Sequence, residues 1–203
     1  MSPYKHAEIS KSRLGGEIDD YIPIHQFMDA TKELCSDNRH RIFHNLWAIR
    51  QIVIPIFGHT MKNSSGKIVN VKDICEKDHI LADYRNRFIP TLGDFVESIN
   101  ESKIFKGYKT SIEQLYKEYD QIPGVAEFLL SPLSITGEFK SLLITHNSWV
   151  LNYILPKIFP DCKMSVKEFE LNPSLLYNAM DFRLWMDNGI KLPPSANIEY
   201  LKN

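Results

Sequence analysis

The sequence predicts a mainly α-helical fold, built as two tandem, diverged copies of a helical domain with a small β-hairpin in the first. Three observations predict it. Apolar residues recur at helical spacing, with Ile42, Phe43, Leu46, Ile49, Val53 and Ile56 forming one stripe. The segments HNLWAIRQIVIPIF at 44–57 and HNSWVLNYILPKIF at 146–159 share His-Asn, Trp, an Ile, a Pro and a closing Ile-Phe. The stretch TMKNSSGKIVNV reads as two short strands around an Asn-Ser-Ser-Gly turn.

The elements follow in order. DYIPI at 20–24 answers DQIPG at 120–124, which sets two domains, 1–104 and 105–203, joined near ESKIFKGYK. A helix over 22–34 has Pro23 in its first turn. A second over 37–57 is capped by Ser36 or Asp37 and is kinked or ended by Pro55 ahead of Gly58. Helices over 71–86 and about 91–100 complete the first copy. The second copy reads as helices at about 110–120, 123–131, 136–159 and 173–187, with a short one after Pro194. It puts Leu142 where His40 falls, so it supports the first copy and carries no polar site of its own.

Composition excludes several classes. Of 203 residues, 43% are hydrophobic, enough for a core. Lys+Arg 24 against Asp+Glu 25 gives a net charge of -1, which argues against a nucleic-acid footprint. The first ten residues have no apolar leader core, and IRQIVIPIFG is too short and too polar to span a bilayer. Cys35, Cys75 and Cys162 are odd in number and widely spaced, fitting neither a disulfide framework nor a zinc finger. A cytoplasmic location is the expectation.

The chemistry concentrates in the histidines. On a helix, residues i and i+4 share a face, the spacing at which two side chains hold one metal ion. Three such pairs occur: His25 with Asp29, His40 with His44, and His79 with Asp83. Chance supplies about one. The candidate metal ligands are therefore His25, His40, His44, His79 and Asp83, holding a divalent ion. His25, Asp29 and His40 are the candidate catalytic groups. Lys32, Arg39, Arg41 and Tyr21 lie in the same window and suit an anionic substrate, because a guanidinium fork binds two phosphate oxygens at once. Arg39 and Arg41 diverge by about 200° on a helix, so at most one faces the site, and the other is expected to pair with Asp37 or Glu33 at the surface. His44 recurs as His146, so a capping or packing role for His-Asn-x-Trp competes with ligation. His6 and His59 read as chance occurrences. Neither HExxH nor a His-Asp doublet is present; KDHI at 77–80 has the reverse order.

Residues 3–98, with HAEIS, a Gly-Gly, DYIPIHQFMDATK, RHRIFHN, NSSGKIVNV and DHILAD, resemble an uncharacterised bacterial and phage family of small His-rich helical domains. The resemblance implies that the histidine constellation belongs to the unit as such; it supplies no catalytic residue and no substrate. Three readings stand. One is a metal-dependent hydrolase of a phosphoester or nucleotide-like substrate. Another is a non-enzymatic binder that sequesters a small anionic ligand, phage-encoded or otherwise. The third is a structural or interaction domain. A homo-oligomer is compatible with each.

Overall fold

The computed structural model describes residues 1–119, 122–162, 171–181, 185–186 and 192–193. It is mainly helical, and the chain divides into two compact units, Met1–Asp94 with Arg183–Asn203, and Phe95–Phe182. Among the described residues no helix is long and apolar enough to cross a membrane, and all three cysteines are free thiols.

The first unit opens with a helical hairpin, Pro3–Leu14 and Ile18–Met28. Pro3 sits in the first turn of the first helix, where a missing N–H costs nothing, and the Ser2 hydroxyl accepts from the Lys5 N–H. The sharp reversal after Leu14 uses Gly15 and Gly16 at φ 79° and 76°. A side chain at Gly16 would place its Cβ 2.5 Å from Asp20 Oδ2. That oxygen accepts from the Glu17 N–H at 2.7 Å, closing a capping box, and from the Ser64 N–H and hydroxyl at 3.0 and 2.8 Å. The β-hairpin, Thr60–Lys62 paired antiparallel with Ile68–Asn70, is thereby fastened to the helical turn.

Both helices of the hairpin pack on a central helix over 71–83. Its middle, Ile74–Ile80, is a π turn, and Ile74, Cys75, Glu76, Asp78, His79 and Ile80 are all buried. A helix enclosed on nearly every side that still carries aspartates and a histidine must find partners for each of them.

Several boundaries differ from the sequence expectation. The first helix, Pro3–Leu14, is additional. The helix expected over 22–34 runs from Ile18 to Met28, with Pro23 inside it. The helix expected over 37–57 is broken. A 3-10 turn, Asn38–Phe43, ends at His44 (φ -83°, ψ 61°), and the chain restarts at Leu46. Asn45 causes the break: its Oδ1 accepts from the Ala48 N–H at 3.0 Å and its Nδ2 donates to the Ile42 carbonyl at 2.8 Å, an alternative to the continuous ladder. The helix over 71–86 stops at Asp83, and Arg85 and Asn86 follow at positive φ.

In the second unit, Gly107–Tyr119 and Val125–Thr136 are followed by a 3-10 turn, Phe139–Ile144. Asn147 then repeats the role of Asn45, accepting from the Val150 N–H at 3.1 Å and donating to the Leu143 carbonyl at 2.9 Å. In both units a π turn comes next, Ile49–Val53 and Val150–Ile154. The expected helix over 136–159 is thus broken as 37–57 is. Of the one expected over 173–187, Pro173–Ala179 forms. The short helix after Pro194 lies outside the described residues.

Asn45→Ala and Asn147→Ala should each lower stability by about 1–2 kcal/mol. Urea unfolding of the purified variants measures this, and an unchanged midpoint would mean the side-chain caps do not hold the restarted helices.

Candidate metal centre

The aspartates come from helix ends. Asp29 is the residue at which Ile18–Met28 terminates, and Asp83 closes the central helix. Both are buried, at 4% and 5% exposure. Around them stand five imidazoles: His6 from the first helix, His25 from the second, His40 and His44 from the broken segment, and His79 from the π turn. Ligand atoms of Asp29, His44, His79 and Asp83 lie within 4.8 Å of one another, a group that could hold a metal ion.

The hydrogen bonds behind the rings decide what faces inward. His6 Nδ1 is 2.8 Å from the Asp78 carbonyl, His40 Nδ1 is 2.6 Å from the Asp37 carbonyl, and His44 Nε2 is 3.2 Å from the Met28 carbonyl. A carbonyl only accepts, so each of these nitrogens carries the proton. With one proton per ring, the opposite nitrogen is bare.

His79 is set through a longer chain. Arg13 donates from Nε and Nη2 to the two oxygens of Asp78 at 2.6 and 2.9 Å, and the Ser10 hydroxyl donates to Asp78 Oδ2 at 2.9 Å. With its proton committed, Ser10 accepts from His25 Nε2 at 2.9 Å. His25 Nδ1 is then bare and accepts from His79 Nδ1 at 3.0 Å, leaving His79 Nε2 unprotonated.

Four bare nitrogens therefore point at two carboxylates. His6 Nε2 lies 3.2 Å from Asp83 Oδ1 and His44 Nδ1 3.4 Å from Asp83 Oδ2. His79 Nε2 and His40 Nε2 lie 3.6 and 3.9 Å from Asp29 Oδ1. None of these four nitrogens has a hydrogen-bond partner, and all are buried. An unpaired buried polar atom costs about 1–3 kcal/mol, so four together rival the net stability of a domain.

The protonation states suit a cation. Burial drives the His25 value down to about 3 and that of His40 to about 4, and takes His79 well below the usual imidazole range, so these rings are neutral. Burial opposes ionisation of Asp29 and Asp83. Both carboxyls nevertheless lie well below the usual carboxylate range, each beside a cation: Lys32 Nζ is 2.6 Å from Asp29 and the Met1 nitrogen 2.7 Å from Asp83. Neutral imidazole and ionised carboxylate are the forms that bind metal.

Fixed cations flank the group. Lys32 Nζ is 2.6 Å from Asp29 Oδ2, a close ion pair outside aligned hydrogen-bond geometry, and it donates to the Met1 carbonyl at 3.0 Å. The Met1 backbone nitrogen is 2.7 Å from Asp83 Oδ1. Arg41 Nε is 3.6 Å from Asp83 Oδ2, with its guanidinium 5.1 Å from the Tyr84 ring centroid and Nη1 donating to the Met186 carbonyl.

The structure brings Asp29, Lys32, His40, Arg41, His44, His79 and Asp83 together. Three of the residues read from the sequence fall elsewhere. His25 touches His79 and Ser10 instead of a carboxylate, so it stands behind a ligand position. Arg39 closes on Asp37, with Nε and Nη2 at 3.0 and 2.7 Å from its two oxygens. The Tyr21 hydroxyl donates to the Gly15 carbonyl and accepts from Asn63 Nδ2, which ties the hairpin down.

Sequence reasoning missed His6, Ser10, Arg13 and Asp78. The i, i+4 rule applied to His6 finds Ser10, and Ala7 beside them is also buried; the reversed doublet in KDHI is Asp78-His79. In the second unit, His146 spends Nδ1 on the Leu142 carbonyl and Nε2 on the Tyr116 hydroxyl at 3.0 Å. Among the described residues that unit has no comparable donor group.

Fold and site define a mainly helical protein with a buried histidine–aspartate cluster able to hold a metal ion. The chain belongs to the family described as Domain of unknown function (DUF6915), whose model matches residues 1–105 and so takes in every member of the cluster. Neither a curated protein nor a solved structure matches it.

Acid should unfold the metal-stripped protein. His25 and His40, buried among other polar groups, titrate below the ordinary imidazole value of about 6.5 when folded. Below about pH 6.5 the unfolded chain therefore takes up protons that the folded one refuses. Stability should be level above that pH and decline toward pH 4 to 3, by up to about 1.4 kcal/mol per pH unit for each excess proton. Asp29 and Asp83 add loss of the same sign as they protonate. Urea midpoints in chelator from pH 7.5 to 4 measure it; a midpoint that rises on acidification contradicts the assignment.

Proposed function

We propose that this protein is a metal-dependent hydrolase acting on a small anionic substrate of the phosphoester or nucleotide-like class. The observation that carries this reading is the convergence of four bare imidazole nitrogens on two ionised carboxylates in a buried space. With one proton per ring already placed on the partner behind it, the four nitrogens stay unpaired, whereas metal ligation uses bare nitrogens and ionised carboxylates through the lone pairs it requires.

When bound, such an ion supplies a water with a pKa near 7 and a Lewis acid for a phosphoryl oxygen. The chain's own residues supply the rest. Asp29, His44, His79 and Asp83 hold the centre, and His25, through His79 Nδ1, fixes the orientation of that ring. Of the two cationic side chains, Lys32 is the more exposed, at 36% against 8% for Arg41, and His40 stands beside it at 7%. An anion approaching from solvent meets Lys32 first. Arg41 is enclosed between Tyr84 and Asp83 and compensates charge from behind.

One observation favours a second reading. The donor atoms are almost wholly out of solvent, as in closed structural sites. An ion there would fasten the helices without turnover.

Protein purified without a histidine tag should carry Mn, Fe, Ni or Zn, and Asp83→Asn and His44→Ala should lose it. Absence of bound metal, with no thermal shift on adding any of these ions, would overturn the reading. Metal-loaded protein should cleave a phosphoester such as p-nitrophenyl phosphate or its diester, with Lys32→Ala raising KM more than it lowers metal content. Full metal loading without turnover across mono-, di- and nucleotide esters would leave the structural reading.

Ser10→Ala removes the acceptor for His25 Nε2 and frees the proton order of the chain. Metal affinity should drop about 10–100-fold although Ser10 touches no ligand position. Titration of the apoprotein with Zn or Mn checks this; unchanged affinity would mean that the relay does not orient His79.

A further inference from the structure

We infer that the cluster takes two metal ions, with His6 and His40 as the outer ligands; this rests on the metal-binding reading above. Four donors, Asp29, His44, His79 and Asp83, fall within 4.8 Å of one another, and neither His6 nor His40 belongs to that set. Both nonetheless carry a bare, buried Nε2 without a partner, directed at a carboxylate. One ion centred on the inner four leaves both outer nitrogens unused.

The carboxylates divide the donors into two groups. Asp83 offers one oxygen to His6 and the other to His44, at 3.2 and 3.4 Å. Asp29 Oδ1 faces His79 Nε2 and His40 Nε2 at 3.6 and 3.9 Å; His44 Nε2 is 3.7 Å from the same oxygen, but its proton goes to the Met28 carbonyl and its free Nδ1 faces Asp83. Donors about 2.0–2.2 Å from one ion lie roughly 3.0–3.6 Å apart, so the Asp83 pairs and the His79–Asp29 pair are spaced for one ion each, and His40, at 3.9 Å, needs to close by a few tenths of an ångström to join. Three protein donors per ion leave positions open for water and substrate. The compact inner set matches a pair about 3.5–4 Å apart, the separation of two-metal hydrolytic sites. Two divalent ions together with Lys32 and Arg41 outweigh the two carboxylates in charge. The surplus would favour an anionic substrate.

Nothing else among the described residues pairs with His6 Nε2. Its ring is fully buried and stacks on His79 with centroids 3.9 Å apart, and its Nε2 faces Asp83 Oδ1 at 3.2 Å with no hydrogen-bond partner.

The test is stoichiometry. Apoprotein titrated with Mn(II) should bind two ions per chain, by calorimetry and by elemental analysis after desalting, and should give the EPR spectrum of an exchange-coupled pair. His6→Gln and His40→Gln should each bind one ion, lose the coupled spectrum and keep the wild-type circular dichroism. One ion per chain in the wild type, with an uncoupled spectrum, would overturn the inference and leave the metal-binding reading standing. No bound ion would overturn both. Two ions retained in both variants would remove His6 and His40 as ligands and so also overturn it. The wild-type count decides the question if either variant fails to fold.

Discussion

Two carboxylates and four imidazole nitrogens enclosed together form the constraint around which the first unit is organised. Such a group is costly to bury unless every member is oriented, and the fold orients each one from behind. Backbone carbonyls of Asp78, Asp37 and Met28 hold His6, His40 and His44, and the Arg13–Asp78–Ser10–His25 chain holds His79. The partners are as specific as the ligand positions themselves. Asp78 does double duty: its carbonyl fixes one ring and its carboxylate begins the chain that fixes another.

The irregularities of the backbone serve this arrangement. A continuous helix over 37–57 would carry His40 and His44 along one straight face. The 3-10 turn and the break imposed by Asn45 instead leave their rings nearly perpendicular, with centroids 5.8 Å apart, so that His40 Nε2 addresses Asp29 while His44 Nδ1 addresses Asp83. The π turn at Ile74–Ile80 widens the central helix where Asp78 and His79 emerge, the setting in which such turns commonly occur. Away from the cluster, Asp20 and Asn63 bind the β-hairpin to the Gly15–Gly16 reversal, which fixes the angle at which the first helix presents His6 and Ser10.

The mainly helical class and the hairpin were legible because both rest on local signals, apolar periodicity and turn chemistry. The helix break at His44 was not, since Asn45 sits within an uninterrupted apolar stripe and its capping role depends on two side-chain bonds that periodicity does not register. The pairs His25–Asp29, His40–His44 and His79–Asp83 directed attention to the right segments. They did not reveal that His25 would stand behind His79, because which ring faces inward is decided between helices. His6 was passed over for want of a helix to place it on, and Ser10 and Asp78 because neither looks like a ligand alone. Arg39 and Arg41 were separable by direction, and Arg39 pairs with Asp37, one of the two partners expected for it.

The depth of the cluster bears on exchange. Its donors come from four stretches of chain, near residues 6, 29, 40–44 and 79–83, and all but the His40 edge are sealed beneath packed helices. An ion lodged there could leave only when one of those stretches swings away, so its residence time would be set by the opening rate of the protein and not by the ligand bonds alone. Which metal the protein carries would then record the ions present when the chain first folded, and would follow later changes in their supply slowly.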